Sequence, residues 1–237
     1  MLKVSNIRKI INGKTIIDDI SFNINLGNIY GLLGPNGAGK TTTFYSIAGL
    51  IKCDEGEIYL GDSNITKLPM HKRSKLGIKY LPQEPSIFQN LTVMENLMGL
   101  AELSYASKKD VDQFVEKSIE GFKLSKILNS KGRELSGGQR RKVEIARTLA
   151  ADPKIILLDE PFAGIDPIAI EEIQEILRIV ASNNIGILIT DHNVREALDI
   201  CYKSIVISQG KVIATGSKND LISNELVKKV YIGKMYS

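Results

Sequence analysis

Gly34, Gly37, Gly39, Lys40 and Thr41 fall at the spacing GxxxxGK[ST], within Gly34-Pro35-Asn36-Gly37-Ala38-Gly39-Lys40-Thr41-Thr42. Glycines at these intervals let a loop curl so that successive backbone N–H groups point inward at phosphate oxygens. An apolar run at 29–33 precedes the loop, and a helix pattern starts near Thr41. The helix N-terminus therefore adds its positive pole at the same spot. Lys40 offers a mobile cation to the terminal phosphates, and the Thr41 hydroxyl is a hard oxygen ligand for Mg²⁺. The chemistry implied is the binding of a nucleotide triphosphate.

A second group of residues could act on that nucleotide. Ile155-Ile156-Leu157-Leu158 is an apolar strand that ends in Asp159-Glu160. An acid at a strand's carboxyl end can hold Mg²⁺ through water, which gives Asp159 its candidate role. Glu160, one residue on, points elsewhere and suits a base that orients the attacking water. Leu135-Ser136-Gly137-Gly138-Gln139 lies ahead of a helix pattern carrying Val143, Ala146 and Leu149 on one face. With ordinary residue usage, LSGGQ arises in roughly one of several thousand random chains of this length, so its presence discriminates. A serine hydroxyl and glycine N–H groups at a helix N-terminus form another anion site. A helix cap with a tight turn is the plainer alternative, and it accounts for Ser136 but not for the two glycines and Gln139.

One phosphate loop and two phosphate-binding helix ends then need reconciling. If the second helix end comes from another copy, two chains share two nucleotides. The expectation is a head-to-tail pair with two-fold symmetry and two composite sites.

The elements that must position these residues alternate between strand and helix. Strand patterns stand at 29–33, 58–60, 78–81, 155–158, 185–190, 205–208 and 212–214, and the N-terminus is strand-like from Met1-Leu2-Lys3 onward. The runs at 155–158 and 187–189 are continuously apolar, as strands covered on both faces must be. Ile173, Ile176, Leu177 and Val180 mark a buried helix face. Residues 89–151 carry few strand signals and long polar helical stretches. We therefore expect one domain over 1–237, with a nucleotide-binding core at 1–88 and 152–237 and a helical insert at 89–151.

Composition narrows the class. The 237 residues are 43% hydrophobic and 24% charged, ordinary for an α/β domain. A net charge of +4, evenly spread, gives no ground for nucleic-acid binding. Cys53 and Cys201 stand far apart without CxxC, which fits a reducing cytoplasm. No apolar run approaches the roughly 18 residues of a membrane span, so any membrane crossing falls to other chains.

Together and in this order, the motifs resemble the ATP-binding-cassette (ABC) ATPase family over essentially the whole chain. The resemblance implies an α/β P-loop NTPase with a RecA-like core, a mixed sheet flanked by helices, and an inserted helical subdomain. It implies ATP hydrolysis with Mg²⁺, a homodimer closed by ATP, and two membrane-spanning partners. It also implies a place on the cytoplasmic face of the inner membrane, with no direct contact to cargo. By resemblance Gln83, in Leu81-Pro82-Gln83-Glu84, reaches Mg²⁺ and the attacking water. His192, in Thr190-Asp191-His192-Asn193, is the histidine near the γ-phosphate. Asp166, before Pro167, touches the opposing subunit; a helix N-cap is the plainer reading, and both roles are compatible. One departure stands out: where the family places an aromatic on adenine, Lys9-Ile10-Ile11-Asn12 presents Ile11, which gives apolar contact without stacking.

Longer strings, Gly31 to Ser46, Tyr80 to Glu84, Ser86-Ile87-Phe88, Glu160 to Pro167 and Ile189 to Glu196, resemble the ATPases of lipopolysaccharide exporters. ATPases of branched-chain amino-acid importers are the alternative, followed by a soluble ABC ATPase of cofactor assembly. The exporter resemblance places Phe88 in a groove for a membrane subunit's coupling helix, against a plain core role. It places the tail 226–236 near the dimer interface, against an ordinary docked helix.

Overall fold

The structure, a computed structural model, describes residues 1–233. Strand β1 (Leu2–Ile11) turns through Asn12-Gly13 into β2 (Lys14–Ile24). Both turn residues have positive φ, 50° and 76°, the mirror-image turn whose twist matches a hairpin. This pairing is absent from the sequence expectations, which hold only one strand-like segment here. Register shifts along β1 and β2, with Asn6 and Asp19 at positive φ, break the alternation that would have announced it.

The chain continues through β3 (Ile29–Leu33), α1 (Lys40–Ala48), β4 (Glu55–Leu60), β5 (Ser63–Asn64), α2 (Met70–Lys75) and β6 (Ile78–Leu81). Next come α3 (Val93–Ser104), α4 (Lys108–Gly121) and α5 (Gly137–Leu149). The remainder alternates: β7 (Ile155–Asp159), α6 (Pro167–Ser182), β8 (Gly186–Thr190), α7 (Val194–Ile200), β9 (Lys203–Ser208), β10 (Lys211–Gly216), α8 (Lys218–Ser223) and α9 (Glu225–Val227).

Two sheets form. A four-stranded antiparallel sheet runs β2-β1-β4-β5, and a six-stranded sheet runs β10-β9-β3-β8-β7-β6. In the larger sheet all neighbours pair in parallel except β10 on β9. Its faces divide the side chains of one strand between two cores. Ile155 and Leu157 pack with Ile7, Ile20 and Phe44 beneath the antiparallel sheet. Ile156 and Leu158 pack with Val143, Ile173 and Leu177 on the helical side. Period-2 alternation makes this the natural use of a wholly apolar strand, each such side chain contributing about 1.5–3 kcal/mol.

Parallel pairing also decides where the chemistry sits. Gly31 registers with Ile189, Asp159 with Thr190, and Leu81 with Leu158. The carboxyl ends of β3, β8, β7 and β6 therefore open on one edge, each into a loop bearing candidate site residues.

Helix α1, which follows the phosphate loop, ends at Gly49 in the left-handed region. Its last carbonyls meet Arg73, an arginine buried to 1% exposure. Arg73 donates to the carbonyls of Ser46 and Ile47 (both 2.7 Å), and to those of Thr66 and Leu68 (both 2.8 Å). All four acceptors are main-chain carbonyls. The arginine so ties α1 to the loop after β5 and to α2.

Candidate functional site

The phosphate loop leaves β3 at Gly34, whose φ is 149°. A Cβ there would lie 2.0 Å from the carbonyl oxygen of Ile207 on the neighbouring β9, so only glycine passes. Lys40, buried at the start of α1, folds back over the loop. Its Nζ donates to the carbonyls of Gly34 (2.7 Å) and Pro35 (3.0 Å). Burial draws its pKa below the ordinary lysine range, while Glu160 and then Asp159 pull it back. The ammonium therefore sits in the field of both acids. Thr41 is exposed at the mouth of the loop.

Asp159 is nearly buried and firmly held. Its Oδ1 accepts from Thr190 Oγ1 (2.6 Å), and its Oδ2 accepts from Tyr80 OH (3.1 Å). A carboxylate has roughly four lone-pair directions, so it keeps acceptor capacity beyond these two bonds. Among the described residues no three His, Cys, Asp or Glu side chains gather as a metal cage. One carboxylate with the Thr41 hydroxyl suits a hard cation that completes its shell with water and phosphate oxygens.

Glu160 adopts φ 47°, a left-handed conformation costing about 1–2 kcal/mol in a residue with a Cβ. Oε1 of its side chain lies 2.6 Å from Nε2 of His192. His192 is 55% exposed against 15% for Glu160, so the imidazole forms the open side of the pair. Beside Glu160 a small cavity of about 70 Å³ is lined by Gln83, Arg141, Glu144, Gly137 and Ile165. That is room for water, whose share of liquid volume is about 30 Å³. Gln83 itself is exposed at its rim.

The signature segment caps α5. Ser136 Oγ accepts from the N–H of Gln139 (3.3 Å), and Gln139 Oε1 accepts from the N–H of Ser136 (3.0 Å). This reciprocal capping box accounts for Gln139 as well as Ser136, which corrects the sequence reading that a cap explains only the serine. Gly138 has a local reason too: a Cβ there would lie 2.5 Å from the Cβ of Ala169 on α6. Gly138→Ala should therefore destabilise the chain by about 1–3 kcal/mol in urea unfolding. Adding Ala169→Gly should restore most of the loss. Asp166 caps α6, its Oδ1 accepting from the N–H of Ala169 (3.0 Å), with Pro167 in the first turn.

Sequence reasoning passed over the buried charges of α5. Arg141 donates to the carbonyls of Pro82 (3.0 Å) and Asp159 (3.1 Å), and to Glu144 Oε2 (3.3 Å). Glu144 Oε1 accepts from the N–H of Ser86 (2.7 Å), and Arg147 donates to the Ser86 carbonyl (3.1 Å). Arg147 also lies 4.7 Å over the ring of Phe88. Their spacing at i, i+3 and i+6 on one helix side, continuing from Gly138, was the available signal. Phe88 is 51% exposed, which overturns the plain core reading for it. Ile11 is also exposed, at the hairpin end. In the tail, Val227 is fully buried and Tyr231 packs against the helical-side core, whereas Leu226 is exposed. Residues 234–236 of that tail lie outside the described residues. No helix among the described residues is long and apolar enough to cross a membrane.

Comparison with known proteins gives the same frame. The family model described as ABC transporter matches residues 17–163. The lipopolysaccharide export system ATP-binding protein LptB of Haemophilus influenzae is 48% identical over 241 residues, covering 100% of this chain and 98% of the relative. The ADP conformation of MJ1267, an ATP-binding cassette of an ABC transporter, matches at TM-score 0.87 and 31% identity over 98% of each chain. A dimeric bacterial ABC transporter cassette, MJ0796, matches at TM-score 0.78 and 26% identity, covering 92% of this chain and 99% of that one.

Proposed function

This chain belongs to the ABC transporter family, and from that premise we propose that it is the ATP-hydrolysing subunit of a lipopolysaccharide exporter. The family binds nucleotide and couples its hydrolysis to transport. The observation that carries the catalytic reading is the 2.6 Å contact between Glu160 and His192, beside the phosphate loop on adjacent strand ends.

In this reading the N–H groups of residues 34–42 and the Lys40 ammonium hold the phosphates. Glu160 accepts a hydrogen bond from an attacking water, orients it in line and takes its proton as the water adds to phosphorus. His192 holds Glu160 on one side and reaches toward the γ-phosphate on the other. Thr41, Asp159 and Gln83 are the residues that would hold Mg²⁺, which when bound neutralises charge on the terminal phosphates. Catalysis rests on positioning and on charge stabilisation.

The second copy of the chain supplies Ser136, Gly137, Gly138, Gln139 and Asp166 across a head-to-tail interface, closing over ATP. The exposed serine hydroxyl and helix N-terminus support this, and MJ0796 is a dimer of the same fold. The core of 1–88 and 152–237 moves against the helical segment 89–151. Exposed Phe88, held by Arg147, passes that motion to two membrane-spanning subunits. The site of action is the cytoplasmic face of the inner membrane, and the nucleotide subunit has no contact with cargo or nucleic acid.

Purification from the native membrane in mild detergent, followed by mass spectrometry of partners, tests this assignment. Two multi-span membrane proteins accompanied by periplasmic bridge components are expected. Permeases with a periplasmic amino-acid-binding protein would instead mark an importer, and solely soluble partners would sink the transport reading.

A further inference from the structure

Glu160 keeps an unfavourable backbone conformation, and a strained residue persists only where its surroundings over-determine it. Two residues at the end of β8 do this. The carbonyl of Thr190 accepts the N–H of Glu160 at 3.0 Å, while its hydroxyl donates to Asp159. Asp191, 1% exposed, uses both carboxylate oxygens on main-chain donors. Its Oδ2 accepts the N–H of Phe162 (2.9 Å), and its Oδ1 accepts the N–H of Asn193 (2.8 Å). The first bond grips the chain two residues after Glu160; the second grips the residue after His192.

We propose that Asp191 is a positioning residue for hydrolysis, clamping the segment after Glu160 to the loop of His192 and so fixing the two side chains against each other. The inference rests on Glu160 acting as the base. Nothing about Asp191 requires contact with nucleotide. Its carboxylate bridges two loops through N–H groups 31 residues apart in sequence, between Phe162 and Asn193. Neither loop has another side-chain bond at those two N–H groups among the described residues. A carboxylate is the only small side chain that can accept from both donors, because an amide presents one oxygen and a clashing NH₂.

Asp191→Asn in the full chain is the test, with active sites counted by bound ATP per chain. The expected result is a kcat lowered about 10²-fold per active site, the scale of a 1 Å misplacement. The KM for ATP should stay within about threefold. A single-turnover double-mutant cycle separates positioning from mere structural support. In a Glu160→Gln background, Asp191→Asn should cost less than about threefold more, because the group it positions is already gone. Asp191→Ser, which is too short to reach Phe162, should reproduce the kcat loss if the asparagine variant folds poorly. A kcat per active site within twofold of the parent would overturn the proposal, as would a full 10²-fold loss repeated in the Glu160→Gln background. If Glu160→Gln itself remains active, the base reading falls instead, which the parallel single variant reports separately.

Discussion

Replacing Glu160 with Gln is expected to lower ATP turnover by at least about 10³-fold while ATP binding stays within about threefold of the parent. Glutamine keeps the length and planarity of the side chain, so its amide can still meet Nε2 of His192. It also tolerates φ 47° no worse than glutamate does, and the loop conformation should survive. What it loses is the ability to take a proton from a water, a contribution of about 10²–10⁴-fold by itself. The phosphate loop and Lys40 are untouched. Nucleotide should then accumulate unhydrolysed between two copies, and size-exclusion chromatography with ATP should show a stable dimer. Steady-state hydrolysis and equilibrium binding of labelled ATP decide the matter. An active variant would remove Glu160 from the base role, whatever its effect on dimerisation.

Arg141→Met should cost about 3–5 kcal/mol of stability, the usual result of stranding one partner of a buried ion pair. Arg141 and Glu144 have side chains only 6% and 3% exposed, so water cannot take over the abandoned carboxylate. The loss also frees the carbonyls of Pro82 and Asp159. Arg141→Met combined with Glu144→Leu should lose distinctly less than the two single changes added together, since neither member of the pair is then left facing an abandoned partner. Urea unfolding of the four proteins measures the coupling. If the double variant is as unstable as the sum, the pair is not the source of the cost.

The sequence showed most clearly those features that depend on local chemistry. The phosphate loop, the acids after 155–158 and the capped α5 were legible because each combines a backbone demand with an adjacent element signal. The two-faced burial of 155–158 was legible for the same reason, since four consecutive apolar residues leave no solvent face. The β1–β2 hairpin was harder to read. Its Asn12-Gly13 turn is a strong signal, but the bulges near Asn6 and Asp19 erase the period on either side. Arg141, Glu144 and Arg147 failed for another reason. A charged residue on a helix is usually solvated, and only the tertiary partners, the loop at 82–88 and the end of β7, make burial tolerable. Thr190 and Asp191 were read only as neighbours of His192, because their donors and acceptors lie about 30 residues back along the chain.

The arginine beneath the phosphate-loop helix has an electrostatic consequence for nucleotide. Arg73 places a full positive charge against the negative pole of α1, with no acid among its hydrogen-bond partners. A nine-residue helix spans about 13 Å. The negative pole that would otherwise subtract from the pull at the loop is thus offset, leaving the positive pole to act on phosphate with little opposition. At an effective dielectric of about 20, one buried unit charge some 15 Å away adds about 1 kcal/mol of attraction per phosphate charge. Because burial shields it from mobile ions, this share of the affinity should change little between dilute and physiological salt.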